Sequence, residues 1–287
     1  MGETPVTFEA LRQRWYECAY ADDHNSITQQ LGNLVLRSAI HQSLVAANSH
    51  PAFDEQGEPI QNRLLVEFIQ DCFLKTQAAA IRCVFDGNEM AGPKGVWSIG
   101  SLVSDLQTHR AVLTRENLTA DFDDWYREVR EAKVDWLTGV TRDSRSPSDI
   151  VREDVLTGLV SQVERSRKAV KAWVDKAIAH PATPASRSHG SFSFGSLTYE
   201  EMLRSEEDAC RLFAFIHRHF LGDHGLSFLP VVLGDQWQHA SEPLIHPQKL
   251  SSAQSAWETF DTTTRDWAQG DWQDRWNLGG GAAPSPV

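Results

Sequence analysis

Apolar residues recur three and four positions apart along most of the chain, and no run alternates strictly with enrichment in Val, Ile and Thr. That pattern predicts helices throughout and an all-α fold, a multi-helix bundle with long antiparallel members. A first helix carries Phe8, Leu11, Trp15 and Ala19 on one face, and after Asp22 to Asn25 a second carries Ile27, Leu31, Leu34, Ile40 and Leu44. Two prolines and a glycine make 50–59 a loop. The strongest pattern runs from about Gln61 to Asp86, where Leu64, Phe68, Cys72, Ala79 and Val84 predict a broad apolar stripe at the centre of the core.

Ser98 introduces a helix with Ile99, Leu102, Val103, Leu106 and Leu113, and the next carries Phe122, Trp125, Tyr126, Val129 and Trp136. Ser146 followed by Pro147 predicts another helix start, because proline fits the first turn. From there a helix runs to His180 and buries Val151, Val155, Leu159, Val163, Val170, Ala177 and Ile178. The stretch 181–196 is rich in Ser, Gly and Pro and reads as a loop. Thr198 and Glu201 form a capping box that opens a helix with Leu203, Leu212, Phe213, Ile216 and Phe220, ended by Gly222 or Gly225. The expected organisation is a helical domain over 1–233, a Trp-rich helical extension over 234–278 through Trp257, Phe260 and Trp267, and a tail over 279–287.

With 41% hydrophobic residues the chain has the makings of a core, which excludes disordered and fibrous classes. The net charge of -12 argues against wrapping duplex nucleic acid, which draws on many cations, and leaves room for one local basic patch. No apolar run is long enough for a signal segment or a bilayer span, and Val6 stands where a myristoylation motif wants Ser or Thr, so a soluble cytoplasmic protein without membrane contact is expected. Cys18, Cys72, Cys83 and Cys210 form no CxxC pair, and Cys72 and Cys83 lie about 16 Å apart along one helix, so they read as reduced core thiols. The cluster His217 to His224 lacks a nearby cysteine, and His217 and His219 point to different sides of a helix, so no metal is expected. No cofactor is expected either, since phosphate-loop, dinucleotide and nucleophile-elbow motifs are missing from the sequence.

Three stretches resemble the AbiU-type, HEPN-like family of abortive-infection proteins: AAAIRCVFDGNE from Ala78, VWSIGSLVSDLQTHRAVLTREN from Val96, and VKAWVDKAIAHPATP from Val170 followed by the SLTYEEM helix start. Their order and spacing cover roughly Gln61 to Gly222. The resemblance implies an all-helical bundle, a homodimer, a role in bacterial defence against phage, and a relation to HEPN ribonucleases that cut RNA without metal. Those enzymes carry an Arg followed after four to six residues by His. Here the positions five and six before His180 are Asp175 and Val174, a departure from the motif. Arg211 and His217 have the spacing, as do Arg218 and His224.

Metal-independent RNA cleavage needs proton-transfer groups and positive charge near phosphate. His180, at a predicted helix C-terminus, suits the proton work, since the helix dipole favours its cation. Arg165, Arg167, Lys168, Lys171 and Lys176 are the only dense basic run and are the candidates for holding phosphate. The plainer reading makes that run a solvated face and His180 a C-cap. Arg82 and Asp86, four apart, share a helix face as a structural ion pair or project into a cleft with His180. Arg211 and His217 flank the apolar sequence Leu, Phe, Ala, Phe, Ile, which points to a core or interface role for the pair. On the fold that the resemblance implies, a homodimer either cleaves RNA or serves as a catalytically silent RNA sensor; the alternative function is a non-catalytic scaffold whose Trp-rich C-terminal segment docks a protein partner.

Overall fold

Thr7 opens the first helix by accepting the amide hydrogen of Ala10 on its hydroxyl, and α1 (Phe8–Tyr20) then buries Phe8, Leu11, Trp15, Cys18 and Ala19. In the computed structural model the described residues are 7–48, 63–120, 124–179 and 197–222, with Phe228, Ser255, Glu258 and Thr259 as isolated positions. They form α2 (Ile27–Asn48), α3 (Arg63–Val84), α4 (Ile99–Thr108), a 3-10 turn (Arg110–Val112), the short α5 (Arg115–Thr119), α6 (Asp124–Thr138), a second 3-10 turn (Arg142–Ser144), α7 (Glu153–Trp173) and α8 (Tyr199–Ile216). The fold is all-α: no strand occurs among the described residues, only an isolated bridge between Thr114 and Ile150.

α3 is central, packing against α2, α7 and α8, while α4 lies on α7 and α8, and α1 lies on α2. Trp15, Leu31, Ile81, Phe85, Leu102 and Phe213 are among the side chains fully withdrawn from water. The cap of α4 ties it to the end of α3: Ser98 and Ser101 form a reciprocal capping box, and the Ser98 hydroxyl also donates to the Asp86 carbonyl at 2.5 Å. Gly100 permits this approach, because a Cβ there would stand 2.3 Å from the Asp86 carbonyl oxygen. The capping box of Thr198 and Glu201 forms as expected at the start of α8.

The packed faces differ from the expected ones in four places. On α3 the core face is Phe73, Gln77, Ala78, Ile81 and Val84, while Phe68 is 63% exposed and Cys72 faces water. On α2, Ile27, Leu31 and Leu34 are buried but Ile40 and Leu44 are exposed. On α6 the buried face is Arg130, Val134 and Leu137, and Val129 and Trp136 turn outward. An arginine reaches that face because its guanidinium donates to the carbonyls of Leu118, Arg218 and His219 at 2.7 to 2.9 Å. Finally, α7 starts at Glu153 rather than at Ser146 and Pro147, since Ser146 is used in a tight turn whose Asp149 carboxylate accepts its amide at 2.8 Å.

Two helices relax at their C-terminal ends into wider π-helical turns, Val174–Ala179 after α7 and His217–Leu221 after α8. Gly222 caps the second of these. Cys18 is buried, but Cys72 and Cys83 are exposed, which corrects the expectation of core thiols. No helix among the described residues is long and apolar enough to cross a membrane. The chain divides into two units, Met1–Pro230 and Val231–Val287, and of the second only Ser255, Glu258 and Thr259 are described.

Candidate functional site

α7 begins with Glu153 and Asp154, which suit the positive end of a helix, and its basic residues come later as Arg165, Arg167, Lys168 and Lys171. The opposite side of α7 is locked to α8, where the Ser166 hydroxyl donates to Asp208 at 2.7 Å and Val163 and Val170 are buried. Periodicity therefore turns the cations outward. Arg165, Arg167, Lys168 and Lys171 line one open groove of about 680 Å³ together with Ser161, Glu164, Ala172 and Asp175. Its two carboxylates are already engaged: Glu164 lies 3.6 Å from Arg167, and Asp175 accepts from Arg82 Nε at 3.0 Å. Among the described residues, Arg165, Lys168 and Lys171 have no carboxylate partner.

Arg82 thus pairs across helices with Asp175, not with Asp86 as the four-residue spacing suggested. Asp86 instead stabilises the turn that leaves α3, its carboxylate accepting the Asn88 amide at 3.2 Å and its carbonyl accepting from Ser98. Arg167 reaches the same corner, lying 3.2 Å from where a Cβ on Gly87 would stand. The end of α3 and the end of α7 are therefore neighbours. His180 lies outside the described residues, as does the side chain of Lys176.

Arg211 and His217 do not converge on one site. Arg211 is 78% exposed and pairs with Glu207 at 2.6 Å, whereas His217 is 4% exposed with its ring edge-on to Tyr20. Six residues of helix at about 100° each turn the two side chains well apart, and the core reading applies to His217 alone. His224 and the Trp-rich stretch around Trp257 and Trp267 lie outside the described residues.

Three polar centres had no single local signature. Arg115, 4% exposed, donates to Glu131, to Asp135 at 2.9 Å and to Asp149 at 3.0 Å. Burial disfavours its charge, but those carboxylates more than reverse the effect and hold it firmly protonated. His219 is half-buried against Phe215 and Trp136, and desolvation, aided by Arg130, Lys133 and Arg218, pushes its imidazole down to about 4. Glu206 is buried beside Ser38 and Gln77, both donating to its Oε2 at 2.6 and 2.7 Å, and burial pushes its carboxyl above the usual value. The acids at Glu131 and Asp135, four apart on α6, were the one readable hint of the Arg115 centre.

Chemically, the groove on α7 presents several uncommitted cations on a rigid helix, an arrangement that binds phosphate oxygens. No family model, curated protein or solved structure matches the chain.

Proposed function

We propose that the chain is a helical defence protein of the AbiU type with a HEPN-like fold, which acts as a homodimer on RNA and cuts it without metal. The observation that carries the RNA reading is the α7 groove, where Arg165, Lys168 and Lys171 stand uncommitted in a chain of net charge -12. Support for the cutting centre comes from Arg82. It brings a guanidinium to Asp175, one of the positions before His180 where the ribonuclease motif has its arginine. A cation there serves the phosphate, and His180 serves the proton transfer.

Two measurements test the proposal. Anisotropy of a labelled single-stranded RNA, followed against salt, is expected to show binding that weakens about tenfold or more when Arg165, Lys168 and Lys171 are all changed to Gln, with a salt slope shallower by about 2. Unchanged affinity and slope in that variant overturn the RNA reading. Incubation of total RNA in EDTA is expected to give cleavage that disappears in His180→Ala and in Arg82→Ala. RNA that is bound but stays intact removes the nuclease part alone.

A further inference from the structure

A second cavity, of about 610 Å³, lies where the start of α2 meets the end of α3 and the turn before α4. Its size falls in the range of small-ligand sites. Arg37 is its strongest recognition group, and the core builds it into place. The Arg37 Nε donates to Gln77 Oε1 at 2.9 Å, and the amide nitrogen of that buried Gln77 is itself held by Glu206, Ser38 and the Leu34 carbonyl at 2.7 to 3.0 Å. Gln77 and Ser38 are almost wholly shielded from water, so this chain of bonds fixes the guanidinium from behind. No hydrogen bond from the two terminal nitrogens of Arg37 is formed among the described residues, which leaves the forked end of the group for a ligand.

The remaining walls define what fits. The half-buried Trp97, Val96 and Ala80 line it as apolar residues, and Asn33 lines it as well. The main chain at Trp97 is held in place, since Gln30 donates to its carbonyl at 2.8 Å. Asp23 on the same lining accepts the Asn25 amide at 2.7 Å and contributes one negative charge against the one on Arg37. His24 lines the cavity too, and a carboxylate on a flat apolar body matches the guanidinium fork and the apolar wall together. Burial also holds Arg37 below the usual arginine value, only partly offset by Glu206, so an incoming anion relieves a desolvated cation.

We infer that this cavity binds a small planar monocarboxylate, its carboxylate forked on Arg37 and its apolar body against Trp97. Cys83 lines the same cavity and is exposed, while Cys72, also exposed on α3, does not line it. The pair makes an internal comparison in the full-length protein. Alkylation by iodoacetamide, read by peptide mass, is followed with 2-naphthoate as the probe, and with 2-naphthylmethylamine and inorganic phosphate as contrasts. The expected result is that 2-naphthoate slows Cys83 about tenfold at saturation and leaves Cys72 unchanged. The amine and phosphate give no protection. Arg37→Gln abolishes the protection, and Asn33→Phe, which fills the cavity from an exposed position, does the same if Arg37→Gln loses its helical circular dichroism. Equal slowing of Cys72, protection that survives both variants, or equal protection by phosphate overturns the inference.

Discussion

Replacing Arg115 by Met removes the hub of a buried charged centre. Its guanidinium donates from three nitrogens to three acids on two segments: Glu131 and Asp135 of α6, and Asp149 of the turn before α7. Among the described residues Arg145 is the one other cation in contact, paired with Asp135 at 2.7 Å and more loosely with Glu131 at 3.9 Å. Asp149 is then left without its cation, and Glu131 keeps only the loose contact. Leaving partly buried acids uncompensated costs about 3–5 kcal/mol. For a unit of roughly 200 residues that lowers the melting temperature by about 6–20 °C. Urea unfolding followed by circular dichroism reads the loss, and Asp149→Asn in the same background recovers part of it, because an amide needs no counter-charge. A loss below about 1 kcal/mol, or no recovery, refutes the view that these acids depend on Arg115.

The pH response of His219 has a defined sign. Its folded value, about 4, lies below the unfolded 6.5, so the neutral ring stabilises the fold above pH 6.5 and that contribution is lost as pH falls from 6.5 towards 4. Discounted for partial exposure, the loss is about 1–2 kcal/mol, and urea midpoints compared across that window should fall less in His219→Phe than in the native chain; parallel curves count against the assignment. Gly100→Ala forces its new methyl against the Asp86 carbonyl and is expected to cost about 1–3 kcal/mol by overpacking, whereas the same change at Gly158, where nothing lies within 4 Å, costs nothing or stabilises. Equal melting temperatures for the two variants contradict the close approach of α3 and α4.

The helices were legible wherever the signal is local. Ser98, Thr198 with Glu201, and the apolar positions of α1 and α4 mark their elements without reference to anything distant. Which side of a helix meets the core was less so. Both Phe68 with Cys72 and Phe73 with Ile81 make a stripe on α3, and only the packing of α2, α7 and α8 selects the second. On α6 the choice ran against hydropathy, because Arg130 finds three carbonyl partners that lie 12, 88 and 89 positions away. The candidate site divides in the same way. The basic run of α7 is contiguous and so visible in the sequence, whereas the partner of Arg82, Asp175, lies 93 residues along the chain, beyond the four-residue spacing that points to Asp86. The cavity around Arg37 is assembled from three segments and has no motif.

Added electrolyte acts on the Arg115 centre. Arg115 is held by full negative charges, whose attraction mobile ions weaken wherever solvent reaches the carboxylates. The three bonds from Arg130 to peptide carbonyls involve dipoles at hydrogen-bonding range, and dissolved ions barely alter bonds of that kind. Brine therefore loosens the seam between α6 and the turn before α7.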